Sequence, residues 1–466
     1  MDNTAKNLPM SVKWLFASGD FAKTLLVVMT AAFSLFFYTD VLGMDAKIVA
    51  TIILIAKIWD FINDPMMGAL VDRTRSKEGK CRMWLKYMSV PGGVVLALNF
   101  IMPELTATGK IIWVAVTYIL QGMASTALMI PQNTLMSRLT TDPVERAAIN
   151  SYRGYFSVAA NLIASSFAIP FVMMAGNGDM RKGFAVFGIV CGVLYAINYL
   201  IVYWCTKGYE PEESPEASAV STVSKVNEKV KITEVLSNWP WLIVLLAYFC
   251  TMIAASVVGS TGVYYAQYNL GDINIYSIMS FVGIAASLAV YPILSKLVAK
   301  FGNAKLVVLG GAIAAVAYLL RFLTHDANLI VMGILYFFGG FGQVLGTAVV
   351  MLVVYDSYIY MRHKTGKPAP EALLVSGYSV SYKVGMAIAT PIAGWLLGAV
   401  PYVAGAATQE QSVLNLFFYE NTLLPAAAFL ISALLGLLLV KYDKQIQSFK
   451  ALDAAAAQKH TTEADN

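Results

Sequence analysis

Lys57, Asp60 and Asp64 recur at three- and four-residue intervals within "AKIWDFINDPMMGAL", a stretch otherwise apolar enough for hydrocarbon. At about 100° per helical residue these side chains fall within roughly 60° of one another, with Asn63 beside them. A charge near the bilayer centre costs at least about 2.5 to 3.5 kcal/mol, so the stripe is expected to face a cavity or a bundle interior. Pro65 adds free oxygen, because its ring crowds the carbonyl of Phe61 and removes a helical hydrogen bond. A structural pair between Lys57 and one aspartate leaves the second carboxylate uncompensated, and two carboxylates in one place repel unless a proton or metal cation neutralises them. The stripe therefore reads as a cation site. Paired carboxylates with neutral oxygens suit a hard ion such as Na+, and a shared proton satisfies the same electrostatics.

The elements that must hold this stripe are membrane helices. The chain has 466 residues, of which 58% are hydrophobic and 13% charged, and its mean hydropathy is +0.64, far from a soluble domain. Twelve apolar runs recur, from residues 13–39 to residues 416–440, each near the roughly 20 residues that cross a bilayer as a helix. The first run already holds Asp20 and Lys23 and is expected to be a span, with no cleavable leader before it. The net charge of +5 reflects topology, not nucleic acid: with the N-terminus inside, cytoplasmic segments hold 24 of the 33 Lys and Arg. Both termini are expected in the cytoplasm of a multi-pass inner-membrane protein. Four cysteines and three histidines form no metal cluster or disulfide framework; Cys81 falls in a cytoplasmic loop and the other three lie in or at the ends of apolar runs.

Residues 207–236, rich in Glu, Ser, Pro and Lys, read as a cytoplasmic linker between two six-helix bundles, residues 1–206 and 237–442, with a tail at 443–466. The expected fold is all-α. A faint repeat relates the halves: "FFYTDVLG" and a span ending near Pro65 match "VYYAQYNLG" and a span ending near Pro292, each followed by a basic hairpin. Asp60 and Asp64 face Ser287 and Tyr291 in that register, which confines the carboxylates to the first copy.

"FFYTDVLG", "AKIWDFINDPMMGALVDRTRSKEGK", "TALMIPQNTL" and "SYKVGMAIA" together resemble the glycoside-pentoside-hexuronide cation symporters, a branch of the major facilitator superfamily typified by melibiose permease. The likeness runs over nearly the whole chain, and W-D-x-x-N-D-P-x-M-G followed by D-R-T-R-S is its most specific part. It implies a twelve-helix transporter of two pseudo-symmetric bundles that opens alternately to each side, with no resident cofactor and only a co-transported Na+ or H+. It also implies that Asp60, Asp64, Asn63 and Thr126 bind the cation, and that Lys383 lies near those carboxylates.

On the sugar side the resemblance is broken. Lys23 and Arg153 match, but Thr24 and Met129 stand where the family has acids, and Asn133 where it has a tryptophan. Asp20, one turn before Thr24, either substitutes for the missing acid or pairs with Lys23. A cavity edged by Lys23, Arg153 and Lys383 suits an acidic sugar, whose carboxylate or sulfonate accepts charge-assisted bonds from arginine. Tyr152, Tyr264, Tyr265, Tyr378 and Tyr382 are candidates for stacking on a sugar ring. Asp72 and Arg73, and pseudo-symmetrically Asp356, resemble the superfamily's cytoplasmic gates. The expected partners are a small sugar, a monovalent cation and the bilayer, with the monomer as the working unit. A proton-driven drug or metabolite antiporter of the same fold is the alternative. A membrane enzyme needs a catalytic constellation such as HExxH, and a receptor a signalling domain; neither is found.

Overall fold

Residues 8–140, 143–209, 235–366 and 371–464 are described by the computed structural model. Among them twelve helical stretches follow in order. The first six are α1 (Met10–Val41), α2 (Ala46–Arg73), α3 (Lys80–Leu98), α4 (Ala107–Leu139), α5 (Pro143–Ser166 continued by Ala168–Ala175) and α6 (Met180–Cys205). The remainder are α7 (Trp239–Asn269), α8 (Asn274–Phe301), α9 (Asn303–Thr324), α10 (Leu329–Thr365), α11 (Glu371–Leu397) and α12 (Gln411–Phe449), whose last helix runs on to Ala464. Nine are long and apolar enough to cross a membrane, and α5, bent by 49° at Phe167, makes a tenth. Pro170 explains that bend, because it has no N–H for the carbonyl of Ser166. The two that fall short are α2, which carries the charged stripe, and α3, which opens with Lys80, Arg82 and Lys86.

The third helix is shifted from its expected place. Its apolar core reads as residues 87–103, yet the helix begins at Lys80 and ends at Leu98. Cys81, expected in a loop, is therefore buried in its first turn. Partners make the charged start tolerable: Lys80 pairs with Asp72 at 2.9 Å, and Arg82 donates to the carbonyl of Tyr203 at 3.0 Å while lying over that ring. The stop is set by Asn99, whose amide turns back on the carbonyl of Val95 at 2.9 Å and whose Oδ1 accepts from Tyr38 at 3.1 Å.

Two compact units divide the chain. One comprises Met1–Val223, Gly259–Phe281 and Thr390–Leu416, the other Ser224–Val258, Val282–Ala389 and Phe417–Asn466. The linker expected at 207–236 lies outside the described residues except for its two ends. In the first unit Phe33, Phe36, Phe37, Phe100 and Phe184 form one aromatic core, with ring centroids 5.2 to 6.4 Å apart along its contacts. The backbones of α3 and α6 meet at Gly93 and Gly192, where an added Cβ on either would lie 2.3 Å from the other's carbonyl oxygen. The second unit packs α9 against α10 and α12 around Val307, Leu345, Val349 and Leu439. Lipid gives apolar helices little reason to associate, so small residues that admit backbone contact provide the packing instead.

The repeat read from the sequence has a backbone counterpart. Phe37–Val41 and Tyr265–Asn269 both wind as π-helical turns, and both are followed by Leu-Gly with the glycine at positive φ, 67° at Gly43 and 77° at Gly271.

Candidate functional site

The charged stripe is positioned by α2, whose start is fixed by Asp45: its side chain accepts from the backbone of Lys47 at 2.8 Å and Ile48 at 3.1 Å. Asp60 and Asp64 both point to α4. Thr126 donates its hydroxyl to Asp64 Oδ1 at 3.0 Å. Asp60 lies flat against Gly122, where a Cβ would stand 2.1 Å from Oδ1. Lys57 pairs with Asp60 Oδ2 at 3.5 Å and sits 5.9 Å from the centroid of the Tyr118 ring. Asn63 is buried, and its Nδ2 meets no hydrogen-bond partner among the described residues. Asp60 and Asp64 thus both meet α4, the first at Gly122 and the second at the Thr126 hydroxyl, with Lys57 paired to Asp60. No group of three or more His, Cys, Asp or Glu able to hold a metal occurs among the described residues. Gly122 and Tyr118 were not anticipated from the sequence; the only signal for Gly122 was an isolated glycine inside a helical run.

A second polar cluster lies in the same unit, between α1, α4 and α5. Asp20 is 5% exposed and is gripped by Arg153, whose Nε donates to Oδ2 and whose Nη2 donates to Oδ1 at 3.2 Å. Gln132 Nε2 donates to the same Oδ2 at 3.2 Å, and Lys23 Nζ stands 3.9 Å from Oδ1. Arg153 reaches further, from Nη2 to Asn133 Oδ1 at 2.8 Å and from Nη1 to the sulfur of Met136 at 3.3 Å. Of the residues expected around a sugar, Asp20, Lys23, Asn133 and Arg153 are brought together, while half-buried Thr24 beside Lys23 is not part of the bonded group. Gln132 and Met136 join it unforeseen. Lys383 lies exposed on α11, in the other unit.

The tyrosines proposed for stacking are placed variously. Tyr264 and Tyr265 are fully buried, Tyr152 stacks on Trp14 at 4.7 Å, and Tyr378 stacks on Tyr248 at 4.8 Å. Of the gate candidates, Asp72 is exposed and pairs with Lys80, Arg73 is exposed, and Asp356 is buried and accepts from Asn303 Nδ2 at 2.8 Å. In the same loop Glu78 binds Lys86 at 2.6 Å and accepts from Tyr203 at 3.1 Å, and the Lys86 ammonium holds the Glu78 carboxyl below its ordinary range.

The profile of the MFS/sugar transport protein family matches residues 15–444. The chain belongs to this family. It is 30% identical over 446 residues to an isoprimeverose transporter of Lactiplantibacillus pentosus, covering 94% of this chain and 90% of that protein. It is 29% identical to a putative glycoside/cation symporter of Escherichia coli, covering 92% of each, and 26% identical to a putative sulfoquinovose importer of Salmonella typhimurium, covering 89% of this chain and 86% of that one. Among solved structures, a bacterial homologue of the human lysosomal transporter Spinster superposes with a TM-score of 0.66 over 94% of this chain and 97% of its own, at 12% identity. That likeness bears on fold alone. This sugar transporter is a multi-pass membrane protein and not an enzyme.

Proposed function

We propose that the protein takes up a glycoside carrying an acidic group, together with one monovalent cation, Na+ or H+. The observation that carries the substrate reading is the charge of the cluster on α1, α4 and α5: two cations, Lys23 and Arg153, face one carboxylate, Asp20. Both cationic side chains carry N–H donors at one cluster, and a sugar carboxylate or sulfonate would accept charge-assisted bonds from them. The oxygens of Asp60, Asp64, Asn63 and Thr126 support the cation reading, with Lys57 as the partner that the ion partly replaces. The names of the relatives, a glycoside/cation symporter and a sulfoquinovose importer, point the same way. In this reading the halves 1–206 and 237–442 rock about a central cavity, both termini face the cytoplasm, the membrane is the cytoplasmic one, and the monomer suffices.

Uptake into proteoliposomes is the test, with acidic and neutral glycosides offered with and without a Na+ gradient. Na+-stimulated uptake of an acidic glycoside is the expected result. If a neutral pentoside or galactoside outcompetes every acidic one, the substrate reading fails. If sodium is without effect while pH controls an outward flux, the protein is a proton-driven antiporter instead.

A further inference from the structure

At the end of α1 one carboxylate oxygen gathers three donors. Asp40 Oδ1 accepts from the hydroxyl of Tyr268 at 2.6 Å, from the hydroxyl of Tyr402 at 2.7 Å and from the backbone N–H of Gly405 at 2.8 Å. These donors come from two parts of the chain remote in sequence, the π-helical end of α7 and the turn between α11 and α12. Gly405 is at φ 67°, a backbone conformation that costs most other residues strain. One residue earlier, Thr39 shares a hydrogen bond of 2.6 Å with Tyr264, which packs edge-on against Phe36 at 5.2 Å and Tyr402 at 6.2 Å. All of these residues lie within the first compact unit.

The arrangement is tied to the internal repeat. Asp40 and Tyr268 are 228 residues apart, and the same displacement carries the π-turn Phe37–Val41 onto Tyr265–Asn269 and Gly43 onto Gly271. Asp40 and Tyr268 are therefore equivalent positions of the two repeat copies, touching each other. A contact between equivalents lies on the symmetry axis that relates them, where two identical residues would set acid against acid or phenol against phenol. Here the sequence has diverged to an acceptor in one copy and a donor in the other.

We infer that Asp40 is the keeper of a latch: it holds the ends of α7 and of the α11–α12 turn onto α1, and these bonds must break before that end of the molecule opens. The inference rests on the reading of the protein as an alternating-access transporter, and with both termini inside the latch closes the outer side. It is separate from the carboxylates of α2, from the cluster around Asp20 and from the cytoplasmic loop residues. Because Asp40, Tyr268 and Tyr402 are only half-buried, water is at hand to replace the bonds when they part, as a reversible latch requires.

The test reads accessibility and needs no sugar, so its failure is distinguishable from failure of the substrate reading. In a variant freed of the four native cysteines, Ser260→Cys places a thiol on α7 one turn before Tyr264, at a fully buried position. Labelling by a membrane-impermeant maleimide is followed in right-side-out vesicles. Asp40→Ala is expected to speed labelling about tenfold, since bonds to a charged acceptor are the stronger kind and all three are lost together. Tyr268→Phe and Tyr402→Phe keep the rings and should each give a smaller acceleration. Neither should add anything in the Asp40→Ala background, because their shared acceptor is already gone. Unchanged labelling in all variants overturns the latch, as does acceleration by Asp40→Ala with both phenylalanine variants silent, or full additivity of the tyrosine and aspartate effects. Should Asp40→Ala fail to accumulate, the single phenylalanine variants carry the test alone, and unchanged labelling in both overturns it.

Discussion

Gly122 sets how closely Asp60 approaches the helix that carries Thr126. A methyl group there would stand 2.1 Å from Asp60 Oδ1, so Gly122→Ala must push the carboxylate away from the face that it shares with Asp64. We expect cation-stimulated uptake to fall by tenfold or more, with normal insertion and with sugar binding in the absence of the cation little changed; binding isotherms at varied Na+ would show it. Asp60→Asn and Asp64→Asn should each abolish cation dependence, and unchanged coupling in both would remove the site assignment. Glu78 offers a prediction of a different kind. Lys86 holds its carboxyl below the ordinary range in the folded protein, so the pair contributes stability above the unfolded carboxylate value of about 4.3 and loses it as pH falls through the folded value. Glu78→Gln should therefore melt at a lower temperature than the parent at pH 7. The gap should narrow below about pH 4.5 and close in stronger acid. Added salt should narrow it as well, because both side chains are about one-third exposed, at 36% and 35%.

At the scale of helices, glycine decides where backbones meet. An added Cβ on Gly310 of α9 would lie 2.4 Å from the backbone nitrogen of Gly346 and 2.6 Å from the carbonyl of Gly342, both on α10. No rotamer relieves a clash with backbone, so Gly310→Val should destabilise by about 1 to 3 kcal/mol, read as a lower thermal midpoint in detergent. Gly68, with nothing within 4 Å of its added Cβ, is the control that should tolerate alanine. Such meeting points were not legible in the sequence, because periodicity gives the apolar face of a helix but not its partner. The spans themselves were legible, since hydropathy over about 20 residues is nearly sufficient in a bilayer. The error at α3 shows the limit: Lys80 and Arg82 read as loop, yet Asp72 and the carbonyl of Tyr203 allow them to begin a helix. In the site, the types and spacing of Asp60 and Asp64 were readable along one helix. Asp20 with Arg153, 133 residues away, was readable only as two separate polar residues, because their pairing depends on how α1 and α5 pack.

For the molecule as a whole, the proposed function turns on how a cation at α2 and a sugar at α1 would influence each other, and α4 gives the two clusters a common support. It presents Gly122 and Thr126 to the carboxylates and, about two turns later, Gln132 and Asn133 to Asp20 and Arg153. Pro131 stands between the two sets and removes one helical bond, so a small bend of α4 is the simplest motion that both ligands would sense. Linkage then requires reciprocity: if the cation tightens sugar binding by some factor, typically about 5 to 150, the sugar must tighten cation binding by the same factor. Thr126→Val keeps the shape of the side chain while deleting its bond to Asp64, and so loosens α4 from the α2 carboxylates without touching the Asp20 cluster. We expect sugar affinity without the cation to stay as it is, and the coupling factor to fall several-fold by the same amount whichever ligand is titrated. Titration calorimetry in both orders measures it. Equal loss of sugar affinity with and without the cation would mean that Thr126 supports the fold of the sugar site and that α4 does not connect the two.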